Sequence, residues 1–217
     1  MQLYRDLGNL TGIADCLSEL AIQTLWAGDF SSPLPWLEEA RKLYHDLGDQ
    51  SDEAGIVNGF GTMSYGQGDY QKARAYFEES ILLYKNVGVW WSIFASVGLA
   101  YMDLRQGYVH QARAGFAEAI QRAYKGNYIE ALLWATEGLA SLQVNQRQFE
   151  CAIRLFAWVD SMREKLRNSR PFIEQKFYEH DMAVIHTKLD EEQFSKLFKE
   201  GRAMTVEQAF ALALQPR

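Results

Sequence analysis

One short pattern of apolar and polar positions returns along the chain: an aromatic, two polar residues, an aliphatic residue and a glycine. It stands at Tyr4-Arg-Asp-Leu-Gly8, at Tyr44-His-Asp-Leu-Gly48 and at Tyr84-Lys-Asn-Val-Gly88, each 40 residues after the last. Gly28-Asp29-Phe30 and Gly68-Asp69-Tyr70 keep the same step. Glu19-Leu20-Ala21, Gly59-Phe60-Gly61, Gly98-Leu99-Ala100 and Gly138-Leu139-Ala140 extend the series through four members. Self-similarity at such a period marks a stack of supersecondary units. Glycine takes the left-handed angles that end a helix, and a following Asp can cap the next one. The pattern therefore predicts two helices per period, helix A stopping at Gly28 and Gly68 and helix B at Gly8, Gly48 and Gly88. Proline is scarce, 4 in all, and Pro33, Pro35 and Pro171 fall at expected helix starts or loops.

A second regularity lies inside each period. Counting on from the small residue of helix A, positions 12, 16 and 19 further along are Ala73, Phe77 and Ser80 after Gly61. They are Ala112, Phe116 and Ala119 after Ala100, then Ala152, Phe156 and Val159 after Ala140. After Ala21 the series is degenerate: Pro33, Leu37 and Ala40. Small residues let two helices approach, and the large one fills the groove between them. No hairpin buries its apolar face alone, so neighbours must stack.

These residues resemble the tetratricopeptide repeat over roughly residues 1–166. The period exceeds that family's usual ~34 residues, in which it is similar to the longer repeats of bacterial regulators. The resemblance implies an all-α fold: a right-handed superhelical stack of antiparallel helix hairpins, an α-solenoid with C-terminal capping helices. The expected boundaries are repeats over 1–170, with a partial helix at 1–8 and repeats at about 12–48, 52–88, 90–126 and 128–166. Closing helices are expected over 171–217. There, Pro171 opens a helix from Phe172 to Lys188, and a second runs from about Asp190 to Glu200 with Gly201 as its stop. Thr205-Val-Glu-Gln208 reads as a capping box that starts a short helix through Leu214.

The match at Tyr4–Gly8 reads as the end of a helix B whose beginning is missing, so the chain is expected to be part of a longer protein. The tail is similar to the end of the helical region in large bacterial LuxR-type and maltose-regulator-like signal-transduction ATPases. Its carriers are Arg154-Leu-Phe156, Met162-Arg-Glu-Lys-Leu166, Glu192-Gln-Phe194, Glu200-Gly-Arg-Ala203 and Thr205–Leu214. That resemblance implies a nucleotide-binding domain upstream and an output domain elsewhere in the full protein. The chain itself carries neither a phosphate loop nor a basic recognition helix.

Composition narrows the chemistry. Hydrophobic residues make up 48% of the 217 and charged residues 23%, the balance of a folded chain. A net charge of −6 argues against nucleic-acid binding by this region. No stretch approaches the ~18 apolar residues of a membrane span, and the first residues have no apolar signal core. The two cysteines, Cys16 and Cys151, make neither metal spacing nor a disulfide framework, which points to the cytoplasm. The four histidines (His45, His110, His180, His186) do not stand at the i, i+4 spacing of a zinc helix. Adjacent acids such as Glu38-Glu39 diverge on a helix and suit a solvated face better than acid–base work. No nucleophile constellation appears. No catalytic residue, cofactor or metal is expected.

In the resembled family, helix A lines the concave face. Projected onto this chain, that face holds Ser18, Ile22 and Trp26; Asn58, Thr62 and Tyr65; Val97, Tyr101 and Arg105; and Glu137, Ser141 and Asn145. Phe94 and Trp134, near helix starts, join it. The mixture of aromatic, amide and hydroxyl groups suits a protein or peptide partner, or a small effector. It lacks the several Lys, Asn and Arg groups of a co-chaperone carboxylate clamp. Of Trp90 and Trp91, which point apart on a helix, one is expected to be partly exposed. Apolar faces at the N-terminal end would let the chain pair with a second copy. The expected function is that of a sensing domain in a bacterial ATPase regulator, the alternative being a freestanding repeat adaptor.

Overall fold

The computed structural model describes residues 1–85 and 91–215. Among them it contains twelve helices and no strand: α1 (Gln2–Asp6), α2 (Leu10–Trp26), α3 (Leu34–Leu47), α4 (Gln50–Gly66), α5 (Tyr70–Tyr84), α6 (Ser92–Arg105), α7 (Val109–Gly126), α8 (Ile129–Asn145), α9 (Phe149–Leu166), α10 (Phe172–His186), α11 (Glu191–Ala203) and α12 (Val206–Ala213). The fold is all-α. The expected stop at Gly88, and Trp90, lie outside the described residues; Trp91 is 45% exposed.

One turn ends helix after helix. A left-handed residue stands at Gly8, Gly28, Gly48 and Gly68, and again at Gly107, Asn127, Arg147 and Arg167. After each, the next N–H donates to the carbonyl five residues back: Asn9 to Tyr4, Asp29 to Thr24, Asp49 to Tyr44, Asp69 to Ser64, Tyr108 to Asp103, Tyr128 to Ala123, Gln148 to Gln143 and Asn168 to Arg163. This is the Schellman bond, which satisfies carbonyls that a helix end leaves open. Within each set of four the turns recur every 20 residues. The smallest repeating unit is thus one helix and its turn, two of which make the 40-residue period.

The side chain after the left-handed residue decides whether the next helix is capped. Asn9, Asp49 and Asp69 accept from the backbone N–H of Gly12, Asp52 and Lys72 at 2.9, 3.1 and 3.1 Å. Asp29 departs from the expected cap. It accepts from Ser31 and Ser32 instead, and α3 begins only after Pro33, because the connection here is longer. Tyr108, Tyr128 and Gln148 supply no side-chain cap.

The chain divides into two compact units, residues 1–102 with 171–173, and residues 103–170 with 174–217. In the first, the hairpins α2–α3 and α4–α5 enclose Leu17, Leu25, Leu37, Tyr44, Ile56 and Phe60. The Phe77 ring fills the space where side chains at Gly61 and Gly98 would stand, about 2.6 and 2.7 Å from an added Cβ. In the second, α7, α8 and α9 pack in succession, and Phe116 lies against Gly138 in the same manner. The small and large residues at the counted positions, from Ala21 to Val159, are buried.

The last helices belong to the second unit and form no body of their own. α11 packs along α9, and α12 touches α7, α8 and α9, its Phe210 ring stacked 4.2 Å from that of Tyr124. The capping box at Thr205 and Gln208 is formed. Gly201 corrects an expectation: it does not stop a helix but lies inside α11, where a Cβ would meet the Arg154 backbone, with the Cα at 2.7 Å. Its lack of a side chain serves the helix crossing.

Candidate functional site

The densest polar structure of the second unit lies along α8. Every residue of this helix from Ala131 to Val144 except Trp134 is buried, including the polar Thr136, Glu137, Ser141 and Gln143. One face of it meets α10 from Glu174 onward. The Trp134 indole N–H donates to Glu174 Oε1 at 3.1 Å, and the Ser141 hydroxyl donates to Asp181 Oδ2 at 2.5 Å. Trp134, Glu137 and Ser141 stand at i, i+3 and i+7. Glu174, Phe177, Tyr178, Asp181 and Ile185 follow the same period on α10, so each set shares one helix face.

Beside this contact runs a buried ion network that joins α8 to α9 and to Arg170, just before α10. Glu137, 2% exposed, accepts from Arg163 Nη2 at 2.8 Å and from Arg170 Nε. Arg170 also donates to Asp160 Oδ1 at 2.7 Å and to Gln175 at 3.2 Å. The Tyr178 hydroxyl donates to Asp160 Oδ2 at 2.6 Å, and the Arg170 guanidinium lies 3.8 Å over the Tyr178 ring. The Arg105 guanidinium stacks at 3.2 Å on Phe177. A cleft of about 380 Å³, lined by Asp160, Arg163, Arg167, Asn168, Arg170 and Gln175 among others, borders the network.

The electrostatics follow from burial. Loss of solvent pushes the Glu174 carboxyl up to about 7, and the nearby Glu137 charge adds to the effect. Burial also raises Asp181, against the opposing pull of the Ser141 hydroxyl and of Arg105. Burial works against the charge of Arg170, but Glu137 and Asp160 outweigh it and hold the group above its ordinary value. Beside Glu174, three further carboxylates, Glu137, Asp160 and Asp181, face the guanidinium groups of Arg105, Arg163 and Arg170.

The residues expected to line an open groove fall into four groups. Trp134, Glu137, Ser141 and Arg105 come together, but α10 lies on them. Val97 and Tyr101 are buried, Tyr101 to 3% exposure, and offer little surface. Asn58, Thr62, Tyr65 and Phe94 are half-buried, and Asn145 is exposed at the end of α8. The Thr62 hydroxyl donates back to the Asn58 carbonyl at 3.1 Å, and Asn58 Oδ1 is buried without a hydrogen-bond partner. Phe94 packs 5.7 Å from Trp91, and Tyr65 6.0 Å from Tyr70. Ile22 and Trp26 are exposed. The partners on α10 and the arginines Arg163 and Arg170 escaped the projection, which looked only at helix A positions.

The first unit has a cleft of about 570 Å³ lined by Arg41, His45, Glu53, Phe60, Lys72 and Tyr76 among others. Its charges are largely matched: Arg41 lies 3.6 Å from Glu53 and 2.5 Å from Glu79, and His45 Nδ1 lies 3.3 Å from Glu53. Among the described residues no three His, Cys, Asp or Glu side chains are placed to hold a metal, and no helix is long and apolar enough to cross a membrane. Comparison with known proteins finds no matching family, no matching curated protein and no matching solved structure.

Proposed function

We propose that this chain is a non-catalytic interaction domain of tetratricopeptide-like hairpins that binds a protein, a peptide or a small effector on its helix A faces. We place it, on the resemblance of its tail, as the cytoplasmic sensing region of a larger bacterial ATPase regulator. The observation that supports this reading most is the seat on α8. A helix A face already holds a helical segment there, through an indole N–H, a hydroxyl and guanidinium groups that converge from one side. Such a face combines apolar area with a few directed polar groups, as peptide-binding surfaces do. Asn58, Thr62 and Tyr65 present the corresponding face of α4, where one amide oxygen still lacks a partner. To signal, the ligand must bind two states of the attached regulator with different affinity; tight binding alone shifts nothing.

The test is affinity capture from source-cell lysate with the wild-type chain as bait and a Thr62→Arg chain as control. A protein retained by the wild type and lost from the control supports the reading. Equal capture by both places binding away from α4. Capture of nothing by either refutes a protein partner.

A further inference from the structure

The α8 face that the repeat pattern marks for binding is occupied by the chain's own α10. Short non-helical links, 167–171 and 187–190, join α10 to α9 and α11. Its departure therefore breaks no backbone hydrogen bond inside either neighbour. Its mode of attachment also differs from that of α11. At Gly201, α11 closes on α9 backbone to backbone. By contrast, α10 meets α8 and Arg105 through side-chain contacts: Glu174 to Trp134, Phe177 to Arg105, Asp181 to Ser141.

Buried charges lose hydration when they pair, so the net hold of such a seam is smaller than its contacts suggest. The fit is also incomplete. Arg105 Nε and Nη2 and Arg163 Nε are buried and have no hydrogen-bond partner. Each is a donor that the resident helix leaves unused, and a buried unused donor carries a desolvation cost that a better ligand would remove. These three are guanidinium N–H, which call for carboxylate oxygens. Burial also pushes the Glu174 carboxyl up to about 7 and raises that of Asp181, a sign that this seat strains its occupant.

We propose that α10 is a built-in stand-in for the partner, and that the partner is a helical segment with an acidic–aromatic–acidic face that displaces α10 from α8. This rests on the reading of helix A faces as binding surfaces and adds the partner's chemistry. An acid meets the Trp134 indole, an aromatic ring lies under Arg105, and a second acid meets Ser141. A further carboxylate in reach of Arg105 makes the incoming helix a better ligand than α10.

The probe is a fluorescein-labelled peptide with the sequence of residues 170–189, titrated into the full chain and followed by anisotropy. A chain carrying Phe177→Ala and Asp181→Ala has a weakened resident helix. It should bind the peptide at least about tenfold more tightly than the wild type, because a competing occupant multiplies the apparent affinity by the fraction of open sites. Adding Arg105→Glu should abolish that binding. Equal affinity for both chains, or none for either, overturns the proposal. Hydrogen exchange on the unaltered chain gives a second reading that needs no variant. The α10 amides should exchange at least about tenfold faster than those of α8 and α9, through local opening. Exchange of all three in one slow step overturns the proposal as well. Lysate capture fails or succeeds independently of both measurements, so this inference and the broader function stand or fall separately.

Discussion

Glu174→Gln isolates the electrostatics of the α10 seam. In the native chain the carboxyl titrates at about 7 where an unburied one titrates near 4.5, so folding holds a proton that the unfolded chain releases. A folded-state value above the unfolded one means, for an acid, that stability is whole at low pH. It falls as pH rises through the window between 4.5 and about 7, then levels off. Each unit is worth about 1.4 kcal/mol, so the wild type should lose about 2–3 kcal/mol from this group between pH 5 and pH 8. Glutamine has no proton to lose, and its amide oxygen can still accept from the Trp134 indole. Glu137 and Arg163, the charges that act on Glu174, are unchanged in the variant, as is Asp181, whose own shift cancels in the comparison. Urea unfolding of both chains at pH 5, 6, 7 and 8, followed by circular dichroism and tryptophan fluorescence, measures the difference. Relative to wild type, the variant should gain about 2–3 kcal/mol across that range. A difference that stays constant with pH would mean that Glu174 is solvated in solution and that α10 does not seal the seam.

Other substitutions test the fold. Gly201→Ala drives a methyl group into the Arg154 backbone, which cannot step aside; thermal unfolding should show a loss of about 2 kcal/mol or more. Arg147 holds φ 60 with an exposed side chain. Arg147→Gly should relieve about 1–2 kcal/mol of left-handed strain against about 0.5–1 kcal/mol of added chain entropy, and so raise the melting temperature slightly. Thr205→Ala removes the capping box and should cost about 1 kcal/mol, with amide exchange in α12 quickening while that in α9 does not.

Much of the fold could be read before any coordinates, for a reason that also explains the omissions. A glycine at a left-handed turn is visible in a sequence, and Gly8, Gly28, Gly48 and Gly68 set the period. Asn127, Arg147 and Arg167 adopt the same turn, yet nothing in an arginine announces a positive φ, so the 20-residue unit stayed hidden behind the 40-residue one. Gly201 carries the same ambiguity: a glycine required by a helix crossing looks, in sequence, like one required by a turn. On α8, the i, i+3, i+7 spacing of Trp134, Glu137 and Ser141 places them on one helix face from sequence alone, but carries no sign of what covers that face. Apolar periodicity reports contacts that exclude water through hydrocarbon, whereas the buried face of α10 carries Glu174 and Asp181 beside Phe177, Tyr178 and Ile185.

That choice of side chains has a physical consequence. A helix held by an apolar stripe gains stability from almost any register that keeps the stripe covered. A helix held by directed buried hydrogen bonds is different, since a slip of one turn breaks the bonds from Trp134 to Glu174, from Ser141 to Asp181 and from Tyr178 to Asp160, and each buried polar group that loses its bond costs about 1–3 kcal/mol. The seam between α8 and α10 therefore selects register and partner more than it adds net stability. Replacing Glu137 with Gln should show this asymmetry: Arg163 and Arg170 lose their shared carboxylate, and the loss should reach about 3–5 kcal/mol. Substituting the whole set by apolar residues of similar volume should cost far less, because no charge is then stranded. Equal losses from the two replacements, measured by the same urea unfolding, would show that the network stabilises the fold instead of selecting what sits on α8.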